Sequence, residues 1–174
     1  MVQRCDLLVT RAAQLVTCAG FSHAPARGAD QAALGMIGDG AVAVANGAIV
    51  DVGPSAALER RFDAARVIDA TGAVVLPGFV DPHTHLVFAG HRASEWEARM
   101  RGVPYLELLR RGGGILSTVR ATRAASFTEL VEGAERRARQ AIAHGTTTLE
   151  IKTGYRLDEA GELELLRVIA HAFF

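Results

Sequence analysis

The sequence predicts an α/β protein in which a small, mostly β module precedes a parallel sheet with crossover helices. Three observations carry this. Short apolar runs separated by turn residues fill the amino-terminal part of the chain. Asn46-Gly47 lies between two of those runs, the pattern of a tight hairpin. From Pro77 onward amphipathic helical patterns alternate with β-branched apolar runs, which implies βαβ order.

In the first module, strands are expected at residues 7–10, 14–17, 41–45 and 48–52. Residues 20–40, rich in Gly, Ala and polar side chains without a clear period, read as a loop or weakly ordered insertion. A short helix at 56–62 leads to a strand at 66–68, a Thr71-Gly72 turn and an apolar run at 73–76. We read 1–76 as a β-sandwich-like module and 77–174 as a second domain.

The second domain opens on Gly78-Phe79-Val80-Asp81, expected to be a buried strand. Ser126 and Glu129 have capping-box spacing, and Phe127, Leu130, Val131, Ala134, Ala138, Ala141 and Ile142 share one helical face that Gly145 ends. Residues 146–151 supply the next strand and 158–171 another helix, giving β, α, β, α order.

The 174 residues are 49% hydrophobic, with 19 basic and 19 acidic side chains. That composition suits a globular core and gives no electrostatic footprint for nucleic acid or an anionic membrane, so small molecules are the expected partners. The start of the chain mixes charges into a short apolar run, without a signal-peptide core, and a cytoplasmic protein is expected. Cys5 and Cys18 lack a CxxC partner and are expected to be buried reduced thiols.

The sharpest chemical feature is Asp81-Pro82-His83-Thr84-His85 at the end of an apolar run. Residues i and i+2 of a strand point the same way, so His83 and His85 can present two imidazoles to one divalent metal, zinc or iron. Taken alone, an HxH is more often one satisfied core histidine and one loop residue. Gly112-Gly113-Gly114 has no following GK[ST] and reads as a flexible turn before a helix, not a phosphate cradle. Trp96 is expected to pack, Tyr105 stands between packing and the border of a pocket, and His91, His144 and His171 lack ligand spacing.

The strand ending Pro-Gly-Phe-Val-Asp-Pro-His-Thr-His resembles the first barrel strand of the amidohydrolase superfamily. More specifically, His83-Thr84-His85-Leu86-Val87-Phe88-Ala89-Gly90-His91-Arg92, with Glu95, Arg99, Gly102 and Tyr105, resembles the imidazolonepropionase family. The segments 112–123 and Glu150-Ile151-Lys152-Thr153-Gly154-Tyr155 extend that resemblance over most of the chain. It implies a partial (β/α)8 TIM-type barrel, and hydrolytic opening of the cyclic amide 4-imidazolone-5-propanoate to N-formimidoyl-L-glutamate in histidine degradation. His83 and His85 would hold one zinc or iron ion, which polarises the ring carbonyl and lowers the pKa of its bound water. Arg92 matches the family's substrate arginine, whose planar guanidinium suits the propionate, and Tyr155 matches its substrate tyrosine. Thr153 stands where serine is usual and Arg156 where glycine is usual, and the latter puts the geometry of the Tyr155 loop in question.

A complete barrel needs roughly 250 residues, so about three of eight strands are expected here, in an amino-terminal fragment. Further metal ligands and the proton-handling acid would lie beyond Phe174; no catalytic residue is assigned within this chain and no activity is expected from it alone. Homo-oligomer formation by the complete protein stays open. Two other readings remain: another amidohydrolase, such as a cytosine or guanine deaminase or a dihydroorotase relative, and a non-catalytic metal-binding or interaction remnant. Translating the DNA downstream of codon 174 in all forward frames is expected to reveal barrel strands with the later His, Glu and Asp; unrelated sequence would leave the free-standing module.

Overall fold

The computed structural model describes residues 2–20 and 25–174, which fall into two compact units, Met1–Pro77 and Gly78–Phe174. The first is built on one five-stranded sheet: β1 (Gln3–Val16), β2 (Met36–Ala45), β3 (Ala48–Pro54), β4 (Phe62–Asp69) and the short β5 (Val74–Val75). The order is β3-β2-β1-β4, with β5 also pairing β1. β1 and β2 are antiparallel, as are β2 and β3, while β4 and β5 run parallel to β1. The β2–β3 hairpin turns at Asn46 and Gly47, both with positive φ (53° and 73°), the conformation that lets two residues reverse a twisted strand pair.

The expected strands at 7–10 and 14–17 are one continuous β1. The register slips between Val9 and Ala12, where Arg11 takes φ 59°. The buried Ser55 hydroxyl steadies this irregularity, accepting from the Arg11 N–H (2.8 Å) and donating to the Asp39 carbonyl (2.9 Å). The expected loop over 20–40 is corrected in part: residues 36–40 belong to β2 and Gly28–Ala32 form a 3-10 turn, while residues 21–24 lie outside the described residues. Cross-strand pairing to β1, a contact far away in sequence, makes a strand of a segment without local period.

Helix α1 (Ser55–Arg61) packs Leu58 into a core with Cys5, Leu8, Ala41, Ala43 and Phe62. Among the described residues this unit has one sheet and not two, so the sandwich-like expectation is corrected to a single layer with a helix. Ile49, Val50 and Val67 are accordingly exposed. Cys5 is buried as expected, but Cys18 is exposed, because the chain has left β1 by that point.

The second unit pairs β6 (Phe79–Thr84) with β7 (Thr146–Ile151) in parallel, with Asp81 opposite Leu149 and Thr84 opposite Ile151. Between them run α2 (Ala93–Met100), α3 (Tyr105–Arg110), α4 (Ile115–Ala124) and α5 (Phe127–Ala143); α6 (Glu159–Phe173) follows β7. Two parallel strands stand here, not the expected three, since residues 93–143 are spent on helices. The core of this unit joins Leu86 and Val87, just past β6, to Leu130, Val131 and Ala134 of α5 and Leu165, Val168 and Ile169 of α6. β6 itself is not buried as expected: Phe79 is 55% and Val80 66% exposed, because β7 is its one paired neighbour among the described residues. Trp96, expected to pack, is 68% exposed on α2.

Helix α5 starts with the capping box read in the sequence. The Ser126 Oγ accepts from the Glu129 N–H (3.3 Å) and the Glu129 carboxylate accepts from the Ser126 N–H (2.8 Å). The Ser126 N–H and then its hydroxyl hold the exposed Glu129 carboxyl below the usual glutamate value. A depressed folded-state pKa gives a contribution present above the unfolded value and lost as pH falls through the folded one. Thermal melts of the wild type and Glu129→Gln are therefore expected to differ at neutral pH and to converge in acid, where the wild-type carboxyl is protonated; a gap that stays constant with pH would exclude an ionised capping box.

Candidate functional site

The parallel pairing of β6 and β7 places their carboxyl ends side by side. The lock is local: the Lys152 N–H donates to the Thr84 carbonyl (2.8 Å) and the Thr84 hydroxyl to the Glu150 carbonyl (2.6 Å). While the Thr84 hydroxyl is taken up by β7, the His83 and His85 rings on either side of it in sequence come together. Their ring centroids are 5.6 Å apart, edge to face. His83 is exposed; His85, one residue past the end of β6, is partly buried, and its Nδ1 is buried without a hydrogen-bond partner.

Tyr155, in the loop after β7, reaches the same place. Its ring centroid lies 5.0 Å from that of His85 and 6.0 Å from that of Phe88. Gly154 makes this approach feasible: φ is 134°, which side chains rarely adopt, and a Cβ there would come within 3.3 Å of the His85 Cε1. Arg137 of α5 backs the cluster. Its guanidinium lies 3.9 Å from the centroid of the Phe88 ring and donates to the Leu86 (2.8 Å) and Phe88 (2.6 Å) carbonyls, fixing the turn that follows His85. Gly133, one turn earlier, leaves room for it, since a Cβ would sit 3.1 Å from the Arg137 Nη2. Burial and then the neighbouring Arg136 lower the Arg137 pKa from its ordinary value, and an arginine there remains charged.

No hydrogen bond, ion pair or ring contact joins Arg92 to the cluster among the described residues. It is exposed at the N-cap of α2 and its side chain makes no hydrogen bond or ion pair among the described residues. Tyr105 lies on α3, half exposed, with its hydroxyl 3.5 Å from where a Gly114 Cβ would stand. The glycine turn at 112–114 precedes α4 as expected, yet it is tied: the Glu95 carboxylate accepts from the Gly114 N–H (2.9 Å). Arg156, the departure from the family pattern, points its guanidinium at Glu164 (2.8 Å) and is only 12% exposed. His144 bonds the Gln140 carbonyl and His171 packs on Phe127, and no group of three or more His, Cys, Asp or Glu side chains converges on one point among the described residues.

Sequence reasoning gave no role to Phe88 or Gly154, which it named only within the segments of resemblance, and missed Arg137. Arg137 carried no local sign, for it is one of several arginines along α5 and its partners lie about fifty residues away.

A family model described as "Amidohydrolase family" matches residues 66–104, a span that holds His83, His85 and Arg92. An imidazolonepropionase of Chloroflexus aggregans is 52% identical over 97% of this chain, and one of Symbiobacterium thermophilum 52% identical over 94%. The chain is a sequence relative of the imidazolonepropionases. It spans 39% of the length of those two imidazolonepropionases, as it does of the Geobacillus kaustophilus imidazolonepropionase, to which it is 48% identical. In fold it is similar to a zinc-bound adenosine deaminase from Xanthomonas campestris, with a TM-score of 0.60 at 24% identity over 88% of this chain and 30% of that one. It is likewise similar to a triazine hydrolase from Arthobacter aurescens, with a TM-score of 0.54 at 18% identity over 95% of this chain and 32% of that one. At such identities these two speak for the fold alone.

Gly154→Ala is expected to push Tyr155 and His85 apart, seen as changed ring-proton shifts for both residues, with the Leu130 and Leu165 methyl resonances in place. Unchanged ring shifts would mean that the loop absorbs a Cβ and that the close approach is not required.

Proposed function

We propose that this chain supplies the first strands and part of the active site of a hydrolase that opens the cyclic amide of 4-imidazolone-5-propanoate, giving N-formimidoyl-L-glutamate. The observation that carries the reading is the meeting of His83, His85 and Tyr155 at the carboxyl ends of two parallel strands. Active sites of (β/α)8 barrels occupy that end, and β6 and β7 are read here as two of the eight strands. The sequence kinship to imidazolonepropionases supports the substrate.

The residues present fit a divalent metal. Two imidazoles lie on one side of the strand end, and the His85 Nδ1 is a buried nitrogen with no protein partner. Neutral imidazole suits zinc and iron alike, and both remain candidates. When bound, such an ion acts as a Lewis acid on the ring carbonyl and activates water. His83 and His85 would hold it, with the remaining ligands supplied by chain outside these 174 residues.

The rest falls to the chain's own side chains. The Arg92 guanidinium, unpaired among the described residues, is free to take the propionate with two parallel N–H bonds. The Tyr155 hydroxyl can donate to the same carboxylate or to the ring. Phe88 and Tyr155 provide aromatic faces that keep water from one side of the ring. The Arg156 guanidinium, engaged by Glu164, is spent on the loop.

The test is turnover by the full-length protein of 4-imidazolone-5-propanoate, cytosine, guanine and dihydroorotate. Ring opening of the first alone is expected, and Arg92→Met should raise its KM by about 10–100-fold, the worth of a charge-assisted bidentate contact. Comparable turnover of another substrate, or an unchanged KM, would overturn the assignment.

A further inference from the structure

The loop at 152–158 carries Tyr155 but lies outside regular secondary structure, so something other than a strand ladder must hold it. The holder is on α6. One oxygen of the Glu162 carboxylate, Oε1, accepts from the backbone N–H groups of both Arg156 (2.8 Å) and Leu157 (2.7 Å). Gathering two successive amides onto one oxygen requires an unusual backbone, and Leu157 has φ 57°, a left-handed conformation uncommon for a residue with a Cβ.

This is not helix capping. Asp158 caps α6, accepting from the Gly161 N–H (2.8 Å), and the Glu162 N–H already donates to the Asp158 carbonyl (2.9 Å). The Glu162 side chain therefore reaches back past the cap to the loop. The two guanidinium groups at this loop are engaged elsewhere: that of Arg156 pairs with Glu164, and Arg123 donates to the Arg156 carbonyl and to Asp158. Burial pushes the Glu162 carboxyl up, but hydrogen bonding to the loop, first from the Leu157 and then from the Arg156 N–H, outweighs it and holds the group below the usual glutamate range, while its other oxygen, Oε2, is buried without a hydrogen-bond partner among the described residues.

We propose that Glu162 is a positioning residue, which by collecting the Arg156 and Leu157 amides fixes the loop and so sets the Tyr155 ring against His85. Its bearing on catalysis rests on the reading of Tyr155 as a substrate contact. The acceptor oxygen is what the loop needs, so Glu162→Gln retains the arrangement and Glu162→Ala releases it.

The experiment is residue-resolved amide exchange and ring-proton NMR on the 174-residue chain and both variants. In the wild type the Arg156 and Leu157 amides are protected and Tyr155 shows a nuclear Overhauser contact to His85. Glu162→Ala speeds exchange at those two amides by about tenfold, the worth of a hydrogen bond to a charged group, and abolishes the ring contact, while amides in the last two turns of α6 keep their protection. Glu162→Gln preserves both the protection and the contact. Free exchange at the two amides in the wild type, a surviving ring contact in Glu162→Ala, or equal loss of protection along α6 overturns the proposal. Imidazole-4-propionate added to the full-length protein tests the other reading: no perturbation of Tyr155 there would remove its substrate role and leave the positioning by Glu162 intact.

Discussion

The second unit depends on one constraint, the parallel pairing of β6 with β7. Parallel strands need a long crossover, and here four helices fill the sixty or so residues between the strands. Once paired, the strands bring two carboxyl ends together, and with them the residues that follow each end: His85 to Phe88 on one side, Gly154 and Tyr155 on the other. Thr84 is the hinge of the arrangement, since its carbonyl and its hydroxyl both bond to β7 and the segment just beyond it.

The pairing would be weak alone, because a two-stranded sheet has little face to bury. Leu86 and Val87 drop from the end of β6 directly into the core made by α5 and α6, anchoring the strand end from below. Arg137 does the same with polar means, satisfying two carbonyls that the irregular turn would otherwise leave open. A polar side chain reaching into this position is tolerable because its charge stays partly solvated and its stem and plane lie over Phe88. The site is thus held from two directions, by α5 through Arg137 and by α6 through Glu162.

The departure at Arg156 shows how a fold can absorb a change in a site loop. Where the family resemblance led to an expectation of glycine, the arginine sends its guanidinium to Glu164, and the left-handed residue is Leu157. The cost is a buried Arg156 Nε without a partner. The loop holds Tyr155 beside His85 with arginine in place, and the bonds that Glu162 accepts from it come from backbone amides, not from the Arg156 side chain.

The sequence alone determined what depends on neighbours along the chain: the Asn46-Gly47 hairpin, the capping box of Ser126 and Glu129, the face of α5, and the HxH at a strand end. Spacing encodes these, since turn geometry and strand or helix period are local. Family resemblance pointed to Tyr155 and Arg92, and only tertiary structure set the first against His85 and left the second exposed at the start of α2. Strand pairing likewise made a strand of residues 36–40, joined the two halves of β1, and left β6 open where a buried strand was expected. Arg137 and Glu162 were illegible for the same reason. Each acts on backbone that another segment presents, and no pattern in the surrounding residues says which side chain the fold will turn toward it.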